Sequence, residues 1–194
     1  VTEGSITYDI QFRAIVPSLN EVVQMIVNVE AQNDFYPGYP IIKRGIYYCA
    51  RMISSQYGTV FTNSHYEKIQ KVYSVWICMN PPKKRNNTIT KYLISEDNYI
   101  GNVKENKNYY DLLTTIMVCL GKWDDDSEKS VLGLLSVLLS TDISAGKKKE
   151  LMENEYDISM TEEMKGEVER MCNLRDGVER KGIEKGIAIG IEQG

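Results

Sequence analysis

Residues 26–34, Ile26-Val27-Asn28-Val29-Glu30-Ala31-Gln32-Asn33-Asp34, constrain what this chain can fold into more than any other stretch. They read as a buried strand that carries Glu30 and Gln32 where a core strand should be apolar. Side chains alternate along a strand, so Val27, Val29 and Ala31 point to one side and Asn28, Glu30 and Gln32 to the other. A carboxylate in such a place is costly unless it is hydrogen-bonded, paired or bound to a metal.

The partner for Glu30 is sought first in the strand before it. Residues 6–14 alternate strictly, with Ile6, Tyr8, Ile10, Phe12 and Ala14 on one face and Thr7, Asp9, Gln11 and Arg13 on the other. Pro17, Ser18, Leu19, Asn20 and Glu21 supply turn chemistry, and the strand over residues 24–32 follows. In an antiparallel hairpin turning near Leu19 and Asn20, paired positions sum to about 39, which sets Asp9 opposite Glu30. Two facing carboxylates destabilise a sheet. They become useful when a divalent cation sits between them. Salt bridges to Arg13 or Arg44 are the plainer alternative for both.

Downstream, a turn over residues 34–40 precedes a predicted helix from Pro40 to about Tyr57, ended by Gly58. Its expected core stripe is Ile42, Ile46, Cys49, Ala50, Ile53 and Tyr57, with Arg44, Tyr48, Arg51 and Ser55 as a polar stripe. Residues 72–79 form an apolar run typical of a central strand, and residues 88–95 alternate as another. From Tyr109 the pattern predicts helices over 109–120, 129–139, 147–155 and 161–172. Glycines 177, 182, 186, 190 and 194 then punctuate a repetitive tail. Each glycine costs a helix about 1 kcal/mol relative to alanine, so this tail frays or meets a partner helix that wants close approach.

Composition narrows the class. The chain has 194 residues, enough for one sizeable core, and its 42% apolar and 26% charged content is that of a soluble globular protein. The best apolar run, 112–120, is far short of the roughly 18 residues that span a bilayer. No secretory signal pattern is visible, although the chain begins at Val1 rather than at a methionine. Cys49, Cys78, Cys119 and Cys172 lie far apart, which favours reduced thiols and a cytoplasmic setting. A net charge of −4 confines any nucleic-acid contact to local basic patches. His65 has no neighbours that complete a metal set, and the clusters at 83–85 and 147–149 read as solubilising turns.

With Asp9, Glu30-Ala31-Gln32 and Lys43-Arg44-Gly45-Ile46-Tyr47-Tyr48 in order, the chain resembles the PD-(D/E)XK nuclease superfamily. Within it, the resemblance is to the PD-(D/E)XK family transposases, or recombination-promoting nucleases. Residues 27–40, the helix that follows, Tyr66-Glu67-Lys68-Ile69, the Trp76 strand, Gly101-Asn102-Val103-Lys104-Glu105 and the glycine-repeat tail carry it. The implied fold is α/β: a restriction-endonuclease-like core with a mixed central sheet flanked by helices, plus a C-terminal helical extension. The expected organisation is a core over 1–108, helices over 109–173 and the tail over 174–194.

The resemblance implies phosphodiester hydrolysis in DNA during recombination or transposition. Asp9 and Glu30, with the Ala31 carbonyl, would bind Mg²⁺, or Mn²⁺ in its place, through hard oxygen ligands. The (D/E)-x-K triplet is Glu30-Ala31-Gln32, with Gln32 where lysine is usual. Gln32 is neutral; it would orient water or hydrogen-bond a phosphate oxygen, or serve structurally. Arg44 and Tyr48, one helical turn apart, would contact backbone phosphate, or line a solvated helix face. The alternatives are a catalytically weak or inactive DNA-binding relative and a module that oligomerises through its glycine-repeat helix. DNA is the expected partner, a homo-oligomer through the tail a second one, and a membrane is not expected.

Overall fold

The computed structural model describes residues 10–17, 22–123, 129–140 and 142–166. Asp9, Cys172 and the glycine-repeat tail lie outside the described residues. The rest falls into two compact units, divided after Gly121.

The first unit is built on β1 (Ile10–Pro17), β2 (Val22–Asp34), α1 (Ile41–Ser54), β3 (Lys71–Asn80), β4 (Thr88–Leu93) and β5 (Leu113–Cys119). The strands make one mixed sheet in the order β1-β2-β3-β5-β4. β1 and β2 are antiparallel, and Ile10 pairs with Val29 and Gln11 with Asn28, which is the hairpin register expected from the turn. β2, α1 and β3 form a crossover unit whose strands are parallel, Met25 meeting Lys71 and Asp34 meeting Asn80. β5 lies parallel to β3, and β4 returns antiparallel on the outer edge. β3 buries Val72, Ser74, Trp76 and Cys78 on one face, as strand alternation requires.

α1 packs its own set of residues against that face, and the set differs from the one its sequence suggests. Ile41, Gly45, Tyr48, Cys49 and Met52 are buried, while Ile46 and Tyr57, expected in the core, are exposed. The expected stripe is off by part of a turn. Gly45 has no side chain for a hydrophobicity pattern to register, yet it is the contact point. A Cβ there would lie 2.5 Å from Thr115 Cγ2 and 2.9 Å from Trp76 Nε1. The helix also ends earlier than Gly58. Ser55 and Gln56 continue into tight turns, and Gln56 is buried because its amide closes on both backbone groups of Gln70, at 2.9 and 2.8 Å.

The larger correction concerns residues 109–120, predicted as a helix. They hold the end of a 3-10 turn, Lys107–Tyr109, and then β5. β5 lies between two other strands and is buried on both faces, so its sequence shows a largely apolar run, broken only by Thr114 and Thr115, without alternation. Such a run is ambiguous between helix and strand; its β-branched Thr114, Thr115, Ile116 and Val118 decide for strand. The sheet therefore extends beyond residue 108, where the sequence suggested a change to helices.

The second unit contains α2 (Val131–Leu139), α3 (Ala145–Glu155) and a helical turn over 162–166. Ser130 and Ser144 cap the two helices by accepting the N–H of Gly133 and Lys147. Met152 and Met160 pack with Leu134, Leu138, Ala145 and Ile158. Lys148 is buried and donates to the Leu138 carbonyl at 2.9 Å, which ties α3 to the end of α2. Among the described residues no helix is long and apolar enough to cross a membrane.

Candidate active site

Glu30 sits late on β2, level with Trp76 of β3, and is only 4% exposed. Ile26, on the same face by strand alternation, packs with Cys49 and Met52 of α1. Glu30 therefore lies on the helix-covered side of the sheet, as a polar side chain in a core position. Ala31 is exposed and Gln32, level with Cys78, is half-buried. The hairpin register that would bring Asp9 opposite Glu30 holds as far as Ile10; Asp9 itself is beyond the described residues.

After β2 the chain passes through Phe35, which is buried, and the turn at Gly38, whose φ of +91° favours glycine. It then enters α1 at the same edge of the sheet. This brings Arg44, in the first turns of α1, over the ring that neighbours Glu30 in the ladder. Its guanidinium carbon is 5.0 Å from the Trp76 ring centre and 5.1 Å from that of Tyr48. Arg44 Nη1 donates to the Tyr39 hydroxyl at 2.8 Å, and Nε and Nη2 donate to the Tyr48 hydroxyl at 3.2 and 2.7 Å. Burial alone would lower the pKa of Arg44; acceptance of its N–H groups by Tyr48 and Tyr39 outweighs that, so its pKa is raised. The Trp76 ring beneath is itself fixed, since its N–H donates to Ser74 Oγ at 2.9 Å and it packs against Tyr48 at 5.3 Å.

A second guanidinium occupies the same aromatic cluster. Phe35, Tyr48 and Trp76 belong to one buried group with Ile41, Cys78, Met117 and Cys119. Arg85, in the 3-10 turn Lys83–Arg85 that follows β3, places its guanidinium carbon 4.7 Å from the Phe35 ring centre.

The structure thus brings Glu30, Arg44 and Tyr48 around Trp76, towards the C-terminal ends of the inner strands β2 and β3, with Gln32 two residues further along β2, level with Cys78. Tyr48 is buried, so its hydroxyl serves Arg44 rather than facing solvent. Sequence reasoning passed over Tyr39 and Phe35 here and read Arg85 as part of a solubilising turn. Tyr39 had a usable signal, because a turn residue just before a helix reaches back to its first turns. Phe35 had none, and Arg85 showed only as part of the basic cluster at 83–85, since only the fold joins the two. His65, by contrast, pairs with Glu67 at 3.1 Å in an exposed loop, as an ordinary loop residue does.

A hard divalent cation takes carboxylate and carbonyl oxygens. Glu30 and the Ala31 carbonyl are donors of that chemistry. No group of three His, Cys, Asp or Glu side chains comes together among the described residues. The second carboxylate of the expected set, Asp9, is not among them.

Comparison with known proteins identifies a family. The profile of the family described as PD-(D/E)XK nuclease family transposase matches residues 18–179, a span that contains Glu30, Gln32, Arg44 and Tyr48 and begins after Asp9. No curated protein and no solved structure gives a match. The mixed sheet with its flanking helix is the α/β architecture of a PD-(D/E)XK fold. Matched over most of its length, the chain belongs to the PD-(D/E)XK nuclease family transposases.

Proposed function

We propose that the chain is a metal-dependent DNA endonuclease that hydrolyses phosphodiester bonds in recombination or transposition, in the cytoplasm. The observation that carries this reading is Glu30: a carboxylate, 4% exposed, at a core position of β2 in a chain of this family. Asp9, Glu30 and the Ala31 carbonyl would hold Mg²⁺ or Mn²⁺. Such an ion, when bound, supplies Lewis acidity to a phosphoryl oxygen and lowers the pKa of water.

The protein's own groups do the placing. Glu30 sits buried on a strand inside the sheet, a rigid element that limits reorganisation when the substrate arrives. Gln32, half-buried on the same face, offers an amide that can donate to a phosphate oxygen and accept from water, but it cannot take a proton as a base. Arg44 brings a guanidinium already held by Tyr39 and Tyr48, a geometry suited to phosphate oxygens. The second reading is a DNA-binding or oligomerising relative without catalysis. Gln32 favours it, because the site lacks the cation usual at that place.

Incubation of the full chain with supercoiled plasmid separates the two. The endonuclease reading expects open-circular or linear product with Mg²⁺ and none in EDTA. Plasmid left intact with both Mg²⁺ and Mn²⁺ would overturn it in favour of the second.

A further inference from the structure

We infer that Arg44 and Arg85 together form the seat for the DNA backbone, two guanidiniums mounted on one aromatic cluster and left open to phosphate oxygens. This rests on the reading of the chain as a DNA-acting protein, and it adds Arg85, which that reading does not use.

Three observations carry it. First, both groups lie over rings of the same buried cluster, Arg44 over Trp76 and Tyr48 and Arg85 over Phe35. Both enter from the edge where β2 and β3 end, Arg44 on the helix after β2 and Arg85 in the turn after β3. Second, neither forms an ion pair with a carboxylate among the described residues, where five lysines do. Third, their hydrogen-bonding capacity is not used up. A guanidinium has five N–H donors. Arg44 spends three on tyrosine hydroxyls and has two left, while the Arg85 Nε is buried without a partner among the described residues, so phosphate contact at Arg85 falls to its two Nη groups.

An arginine stacked on a ring has lost much of its side-chain freedom before an anion arrives, and its planar fork matches a phosphate with two parallel hydrogen bonds. Uncompensated charge at a partly buried position is a standing cost to the fold. A polyanion that supplies oxygens to both guanidiniums removes that cost. The neighbouring Lys83 and Lys84 are exposed and lie on no ring, so they lack this preparation.

The test is binding of a short fluorescein-labelled duplex by the full chain in EDTA, followed by anisotropy over a range of salt concentrations. Arg85→Met keeps an apolar stem over Phe35 and removes the charge, and circular dichroism checks that it is folded; Arg44→Met is its counterpart. Each substitution is expected to weaken binding roughly tenfold and to lower the salt slope by about one, and the double variant to lower it by about two. Lys84→Met is expected to change binding by less than about twofold, as a solvated charge does. If Arg85→Met binds as the unaltered chain does while Arg44→Met is weakened, the paired seat is overturned and the DNA reading stands. If the unaltered chain binds no duplex at all, both fall.

Discussion

At the scale of single residues, Tyr48 shows how one buried side chain holds another in place. Its ring is buried against Trp76, and its hydroxyl accepts two of the three hydrogen bonds that hold Arg44. Tyr48→Phe keeps the ring and both arginine charges. We expect it to lower duplex affinity by about threefold, in keeping with two hydrogen bonds of roughly 1 kcal/mol each only partly expressed in binding, with the salt slope unchanged. A fall in slope would mean that Tyr48 acts through charge, and no change in affinity would mean that Arg44 needs no holding. Cys78 belongs to this scale as well. Burial, with a further contribution from Cys119 and an opposing one from Arg85, pushes its thiol from the ordinary 9.0 up to about 12. The folded state then binds a proton that the unfolded chain releases, so stability is fully present below pH of about 9 and falls as pH rises towards 12. Thermal melts between those limits should show that fall, less steep in Cys78→Ala. An equal slope in the two proteins would remove Cys78 as its source.

The decisive element is α1, and Gly45 fixes its depth. Alanine at an ordinary helix position gains about 1 kcal/mol over glycine. At position 45 the added methyl would lie 2.5 Å from Thr115 Cγ2 and 2.9 Å from Trp76 Nε1, and both of those side chains are fully buried. Overpacking of that kind costs about 1–3 kcal/mol, so it cancels or exceeds the gain. Gly45→Ala is expected to lower the melting temperature and, by lifting α1 from the sheet, to weaken duplex binding along with it. A melting temperature raised by the substitution would contradict the close packing. The same helix shows where the sequence is readable and where it is not. The hairpin register of β1 and β2 follows from turn position and alternation, and so does the core place of Glu30. The buried face of α1 does so only in part, because Gly45 and Tyr48, which do not register as apolar, lie on it beside Ile41, Cys49 and Met52. β5 escapes for the opposite reason: an interior strand with both faces covered has lost the polar alternation that would identify it.

At the scale of the whole molecule, the mixed sheet gathers residues from three separate segments towards the C-terminal ends of β2 and β3: Glu30 and Gln32 from β2, Arg44 from α1 and Arg85 from the turn after β3. The chain order Glu30, Gln32, Arg44 and Tyr48 could be read as a set because a single β-turn-α segment supplies it. Arg85 could not, since its partner Phe35 is distant in the chain. Family membership and fold support the proposed nuclease reading of this arrangement, and that proposal depends on one buried carboxylate. The direct test is the initial rate of Mg²⁺-dependent plasmid nicking by Glu30→Gln, which keeps the size of the side chain and removes its charge, beside that of the unaltered protein. With folding verified by circular dichroism, the account predicts nicking by the unaltered chain and at least about a hundredfold less by the variant. Equal rates in the two proteins would contradict it.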